Sequence, residues 1–166
     1  MLIDELKNIA RNNGIVGAGG AGFPAYAKMT EKADTVILNC VECEPLLKLH
    51  RQLLATHTEE IIQMLDEVRE SFGAKEAVIG IKSEYVTTIK AIEEVIGDFP
   101  NVRICALKAA YPMGDEVVLI YEATGRVIKP GGLPIDENVV VYNVETMYNL
   151  YRAVHLNIPV TNKLVS

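Results

Sequence analysis

Long apolar runs are missing from this sequence, and no stretch approaches the ~20 residues that a membrane-spanning helix needs. A basic surface is missing too. Lys and Arg number 16 against 22 Asp and Glu, for a net charge of −6, whereas nucleic-acid surfaces normally carry basic patches. The start, Met1-Leu2-Ile3-Asp4-Glu5, has neither the basic residues nor the apolar core of a secretory signal. These absences predict a soluble, cytoplasmic chain with no nucleic-acid partner and no direct membrane insertion. Any membrane association would come through a partner. Repeats, low-complexity tracts and linkers are also lacking, and 166 residues suffice for one domain with a real core.

Cysteine is scarce, with only Cys40, Cys43 and Cys105. An odd, sparse set fits a reducing compartment. Cys40 and Cys43 form C-x-x-C, but a metal or cluster site would want a second pair. A thioredoxin-type motif would open a helix, whereas Cys40 ends an apolar run. The cysteines therefore read as structural. His50, His57 and His155 lack metal-ligand spacing, and none is assigned a catalytic role.

What is present is a regular alternation. Leu2, Leu6 and Ile9 recur at helical spacing, with Gly14 as the stop. Residues 34–40, 77–81, 102–107 and 139–142 read as buried strands. Between them, Thr56-His57-Thr58-Glu59 reads as a capping box for a helix carrying Ile61, Leu65, Val68 and Phe72 and ended by Gly73. Ser83 is expected to cap a helix through Val86–Ile96, stopped by Gly97. A further helix covers Asp115–Thr124 up to Gly125, and Asn143 caps the last one, with Met147, Leu150, Tyr151 and Val154. Residues 160–166 look like a strand cut short, as in a fragment of a longer chain. Strands alternating with helices predict an α/β fold: a Rossmann-like three-layer domain with a mostly parallel sheet and helices on both faces. Ligands of such sheets bind beyond the carboxyl ends of the strands.

The polar clusters fall at those ends. Gly17-Ala18-Gly19-Gly20-Ala21-Gly22 lets backbone approach a flat or phosphorylated ligand and offers N–H groups to anions. Gly17, Gly19 and Gly22 match G-x-G-x-x-G, but a helix precedes them instead of the strand that a dinucleotide fingerprint requires. Asn39-Cys40-Val41-Glu42-Cys43-Glu44-Pro45 offers carboxylates to ribose hydroxyls or amides. Lys28 and Lys48 flank these segments as possible phosphate partners. Gly114-Asp115-Glu116 opens a helix whose dipole is enough to explain the acids, and Asn143-Val144-Glu145-Thr146 opens another, where free N–H groups suit a phosphate but capping explains Asn143 equally well.

Together, Gly14–Pro24, Asn39–Pro45, Tyr111-Pro112-Met113-Gly114-Asp115-Glu116 and Asn143–Thr146 resemble, in this order, the flavoprotein domain of the 51-kDa protein of respiratory complex I. They are closer still to the C component of the Rnf electron-transport complex. The run Glu42–Lys48 and the start so near the glycine loop resemble the cobalamin reductase of propanediol-utilisation microcompartments. The resemblance covers nearly the whole chain. It implies that residues 1–166 are an FMN- and NADH-binding domain of a longer electron-transfer protein, an NADH-dependent flavin oxidoreductase. Electrons would pass to 4Fe-4S clusters, held in a downstream segment or partner subunits, or to a corrinoid. The location would be cytoplasmic, on a membrane complex or inside a microcompartment.

By that resemblance Gly17, Gly19, Gly20 and Gly22 line the flavin and dinucleotide, and Phe23 packs on the nicotinamide nucleotide. Lys28 reaches the FMN phosphate. Asn39, Glu42 and Glu44 contact flavin or NADH. Tyr111, Gly114, Asp115 and Glu116 sit at the flavin's other side, and Asn143 and Thr146 hold ribityl or phosphate. Complex I proteins have arginine where Ala18 stands, aspartate at Val41, asparagine at Tyr142 and an aromatic residue near Met29-Thr30. Relatives also commonly have aspartate at His50. The substitutions at Ala18, Val41, Tyr142 and Met29-Thr30 each remove a polar or stacking contact. The alternative is a non-catalytic docking domain that keeps the fold without nucleotide binding.

Overall fold

The computed structural model describes residues 1–163 apart from Cys43, Pro45 and Tyr111. Four apolar segments form the sheet: β1 (Thr35–Cys40), β2 (Glu76–Lys82), β3 (Val102–Leu107) and β4 (Val139–Asn143). All pairings are parallel and the order is β3-β2-β1-β4. Parallel neighbours need long crossovers, supplied here by α2 (Leu49–Thr56) with α3 (Thr58–Phe72), α4 (Val86–Val95) and α5 (Glu116–Thr124). α1 (Ile3–Asn12) precedes the sheet and α6 (Val144–Leu156) follows it.

Alternate strand residues point to opposite faces. Val36, Leu38, Ile79, Ile81 and Val140 enter the larger core with Leu6, Leu54, Ile61, Leu65, Ile92 and Leu150 from α1, α2, α3, α4 and α6. Ile37, Val78, Val139 and Val141 meet Leu119, Ile120 and Ala123 of α5 on the other face. Both faces carry helices, as the sequence predicts, but unequally. Among the described residues the second face carries one α-helix, α5, which contacts β2 and β3. No helix among the described residues is long and apolar enough to cross a membrane.

Three local expectations need correction. The segment Thr56–Glu59 does not form a capping box. The Thr58 hydroxyl donates back to the Leu54 and Ala55 carbonyls, closing α2, which the sequence reading missed. Ser83 does not cap α4, whose first residue is Val86. Its backbone N–H is taken by the Leu107 carbonyl, and Gly97 falls within a 3-10 turn (Ile96–Asp98) instead of ending the helix. Residues 160–163 form no strand; Val160 donates its N–H to the Asn13 carbonyl. Gly14, Gly73 and Gly125 do stand where the helices were expected to stop.

Candidate functional site

β1 and β4 are adjacent, and Asn39 and Asn143 are register partners at their carboxyl ends. Chain order reverses between these two strands, the position where open parallel sheets leave a ligand crevice. The glycine loop closes over it. A bridge between Val16 and Pro24 pins the neck, where Gly17 donates its N–H to the Phe23 carbonyl at 2.7 Å. Gly20 and Gly22 have φ of +124° and +63°, a region that side chains rarely tolerate, so the tip turns tightly. The Ala18 N–H reaches the Thr146 hydroxyl at 2.9 Å and anchors the loop to the first turn of α6.

Between loop and sheet lies a cavity of about 330 Å³. Gly17, Gly19, Gly22 and Phe23 form one wall. Asn39, Asn143 and Thr146 form the floor with Val141 and Tyr142, and Lys28 faces Glu116 across the mouth. The Lys28 ammonium lies 3.8 Å from the Glu116 carboxylate and donates to the Val141 carbonyl at 3.3 Å. Through Phe23, Lys28, Glu116 and Val141 the cavity adjoins an apolar one of about 500 Å³, floored by Val139, Val141, Leu133 and Ile135.

The remaining expected residues are distributed around this centre. Asn39 donates its amide to the Gly114 carbonyl and accepts the Val41 N–H, linking the β1 end to the start of α5. Glu42 and Gly114 line a neighbouring cavity of about 320 Å³ with Arg51, Lys82 and Tyr85. Burial, then the nearby Glu42 carboxylate, pushes the Tyr85 phenol up to about 12, so it stays protonated. Glu42 is 3% exposed. Its Oε1 accepts the His50 N–H, while Oε2 has no hydrogen-bond partner among the described residues and lies 3.8 Å from the Arg51 guanidinium. Asp115 is occupied in capping α5 through the Val117 and Val118 N–H groups. Gly20 and Glu44 are exposed and line none of these three cavities. Tyr111 lies outside the described residues.

Two departures from the complex I pattern have structural explanations. Tyr142 is 3% exposed, and its hydroxyl donates to the Ala25 carbonyl instead of to the cavity. Burial pushes its phenol far up. Val41 is buried in the α5-side core. Cys40 is fully buried, and burial raises its thiol, which suits a packing role.

Sequence reasoning did not point to Ala25, Val141 or Arg51, and it named His50 without giving it a role. Leu49, Leu53 and Leu54 carry an α2 periodicity that the false capping box obscured.

Comparisons with known proteins bear on the family and the fold. Residues 10–152 match the family model described as the Nuo51 FMN-binding domain. Cobalamin reductase PduS of Citrobacter freundii is 39% identical over 161 residues, covering 97% of this chain and 35% of that protein. The C component of the Na(+)-translocating ferredoxin:NAD(+) oxidoreductase complex of Acetobacterium woodii is 33% identical over 167 residues, or 98% of this chain and 38% of that protein. An NAD+-reducing [NiFe]-hydrogenase in the H2-reduced state superposes with a TM-score of 0.77 at 25% identity, covering 92% of this chain and 30% of that one. The chain thus spans little more than a third of these curated relatives.

Proposed function

The chain belongs to the Nuo51 FMN-binding domain family, and from that premise we propose that it is the nucleotide-binding domain of an NADH-linked electron-transfer flavoprotein. The observation that carries this reading is the cavity where β1 and β4 end beneath the glycine loop, with Lys28 at its mouth. Its volume of about 330 Å³ falls in the cofactor-pocket range of about 300–1,000 Å³. The donor set also fits FMN. The Lys28 ammonium suits a phosphate, and the α6 N-terminus adds a favourable dipole. Loop backbone without Cβ atoms admits a flat ring, and Asn39 supplies an amide.

In this reading Lys28 holds phosphate, and Gly17, Gly19 and Gly22 cover the ring system. Asn39, Asn143 and Thr146 fix the floor. Gly20 and Glu44 act at the rim, Gly114 and Asp115 support the α5 side, and Tyr111 is assigned there by resemblance alone. FMN, when bound, supplies two-electron uptake from a nicotinamide dinucleotide and one-electron release to an iron–sulfur cluster or a corrinoid. Phe23, 49% exposed, and Glu116 border the adjoining apolar cavity, which suits a dinucleotide. Glu42, desolvated at the end of β1, accepts hydrogen bonds from ligand N–H or O–H groups. No side chain needs to act as acid or base. The clusters belong to other segments or subunits, and the domain works in the cytoplasm, beside a membrane complex or in a microcompartment.

Tyr142 and Val41 favour a second reading, in which the fold is kept for docking and nucleotide binding is lost. One experiment separates them. The protein is mixed with FMN and its absorbance spectrum recorded, then NADH is added without oxygen. Flavin that binds and bleaches supports electron transfer from NADH. Flavin that binds and does not bleach removes the NADH step, and a folded protein that binds no flavin leaves the docking reading.

A further inference from the structure

His50 is the second residue of α2 and bonds on one side to Glu42, after β1, and on the other to Asn143, at the end of β4. Its backbone N–H is held by Glu42 Oε1 at 2.8 Å. Its ring Nδ1 lies 3.4 Å from the Asn143 amide nitrogen. Which end of that amide faces His50 is fixed independently, because Asn143 Oδ1 accepts the Glu145 N–H at 3.0 Å. The group facing His50 is therefore an NH₂ donor, and Nδ1 can receive it only as a lone pair. That requires neutral imidazole with its proton on Nε2. The same NH₂ lies 3.8 Å from where a Cβ on Gly19 would stand, so its orientation sets the surface beneath the glycine loop. His50 itself lines neither the main cavity nor the Glu42 cavity.

We infer that neutral His50 is a positioning residue, holding the Asn143 amide in the orientation that shapes the cofactor cavity and making that cavity sensitive to pH. This rests on the FMN reading above. Protonation at Nδ1 turns the acceptor into a donor facing a donor, and the Asn143 amide must turn or withdraw. The charged groups acting on the ring are Glu42 after β1, Glu145 on α6 and Lys163, while Arg51 on α2 pairs with Glu42 at 3.8 Å. Burial first, and the Lys163 ammonium besides, disfavour the imidazolium and together outweigh the two carboxylates, so His50 titrates below the ordinary histidine range.

The test compares the full chain with His50→Asn and His50→Leu by FMN titration across pH. Asparagine places an acceptor oxygen near the Nδ1 position but does not titrate. The wild type should lose affinity about tenfold as pH falls through the His50 titration, the size of one cofactor-site hydrogen bond. His50→Asn should bind like the neutral wild type at every pH, and His50→Leu should bind weakly at every pH. Long-range ¹H–¹⁵N spectra of the ring, assigned by loss in His50→Asn, should show the Nε2–H tautomer. An Nδ1–H tautomer, or a wild-type pH profile in His50→Asn, overturns the inference. If His50→Leu does not fold, these two measurements still decide. Absence of FMN binding by the wild type at every pH sinks the functional reading instead, while the ring spectra still report on His50.

Discussion

The Ala18 N–H and the Thr146 hydroxyl, 128 positions apart, are hydrogen-bonded at 2.9 Å. This bond fastens the glycine loop, just past its neck, to the helix that follows β4, so the cover and floor of the cavity are mechanically joined. The hydroxyl belongs to a side chain 1% exposed, and a lost partner is not readily replaced by water.

Thr146→Val keeps the shape and removes the acceptor. Leaving the half-buried Ala18 N–H unpaired should cost about 1 kcal/mol, toward the low end for an orphaned donor. Urea midpoints with an unchanged slope would measure it. FMN affinity should fall further than stability, because the loop loses its anchor. Thr146→Ser should restore both. Equal midpoints for Val and Thr would show that the bond carries no load.

Lys28 separates binding from stability. Its ion pair with Glu116 is 3.8 Å long and partly exposed on both sides, and such pairs contribute about 0–1 kcal/mol. Lys28→Met should leave thermal stability nearly unchanged. FMN affinity should drop tenfold or more, since a charged hydrogen bond to phosphate is worth about 1.5–3 kcal/mol. Riboflavin, which lacks phosphate, should bind both proteins equally. A similar loss for riboflavin would place Lys28 against the ring instead.

The strands were legible in the sequence because buried parallel strands are nearly continuous apolar runs. Residues 34–40 and 77–81 were read one residue off β1 and β2. Asn143 was readable as a cap because the capping bond is local, whereas Asp115, read as the first residue of its helix, is the cap that precedes it. The site was legible as separate segments only. That Asn39 meets Asn143 follows from the β1–β4 register, and no local pattern encodes which strands become neighbours. α2 was missed for the same kind of reason: Thr58 satisfies the preceding helix, whereas local propensity assigns it to the following one.

Away from the site, Asp34 ties the start of β1 to the loop after α5. Burial alone would raise its carboxyl, but hydrogen bonds from Arg126, at 2.7 Å, and Thr35 outweigh it, and the folded value lies below 3.8. Between the folded and unfolded values the unfolded chain binds more protons, so stability rises with pH there. The contribution is fully present above about pH 4 and is lost as pH falls through the folded value. Because both partners are about a third exposed, it should not exceed about 1 kcal/mol. Asp34→Asn should lower the urea midpoint near neutrality and converge with the wild type in acid. A gap that stays constant with pH would mean the loss comes from packing.

Gly80 tests how tightly α5 is seated. A Cβ built at this β2 position would stand 2.5 Å from Leu119 Cδ1. Leu119 is fully buried, so its methyl group has little room to swing aside, and α5 must shift outward. Gly80→Ala should therefore cost about 1–3 kcal/mol, the usual cost of overpacking. Leu119→Ala should cost about 2–5 kcal/mol by leaving a cavity. In the double variant the new methyl group occupies part of that cavity, so its loss should fall short of the sum by at least ~1 kcal/mol. The start of α5 carries Glu116 at the mouth of the candidate site. Gly80→Ala should consequently weaken FMN binding, and adding Leu119→Ala should recover part of it even though total stability falls. Additive free energies, with no recovery of binding, would mean that α5 is seated by its other contacts and that Gly80 is not what sets its distance from the sheet.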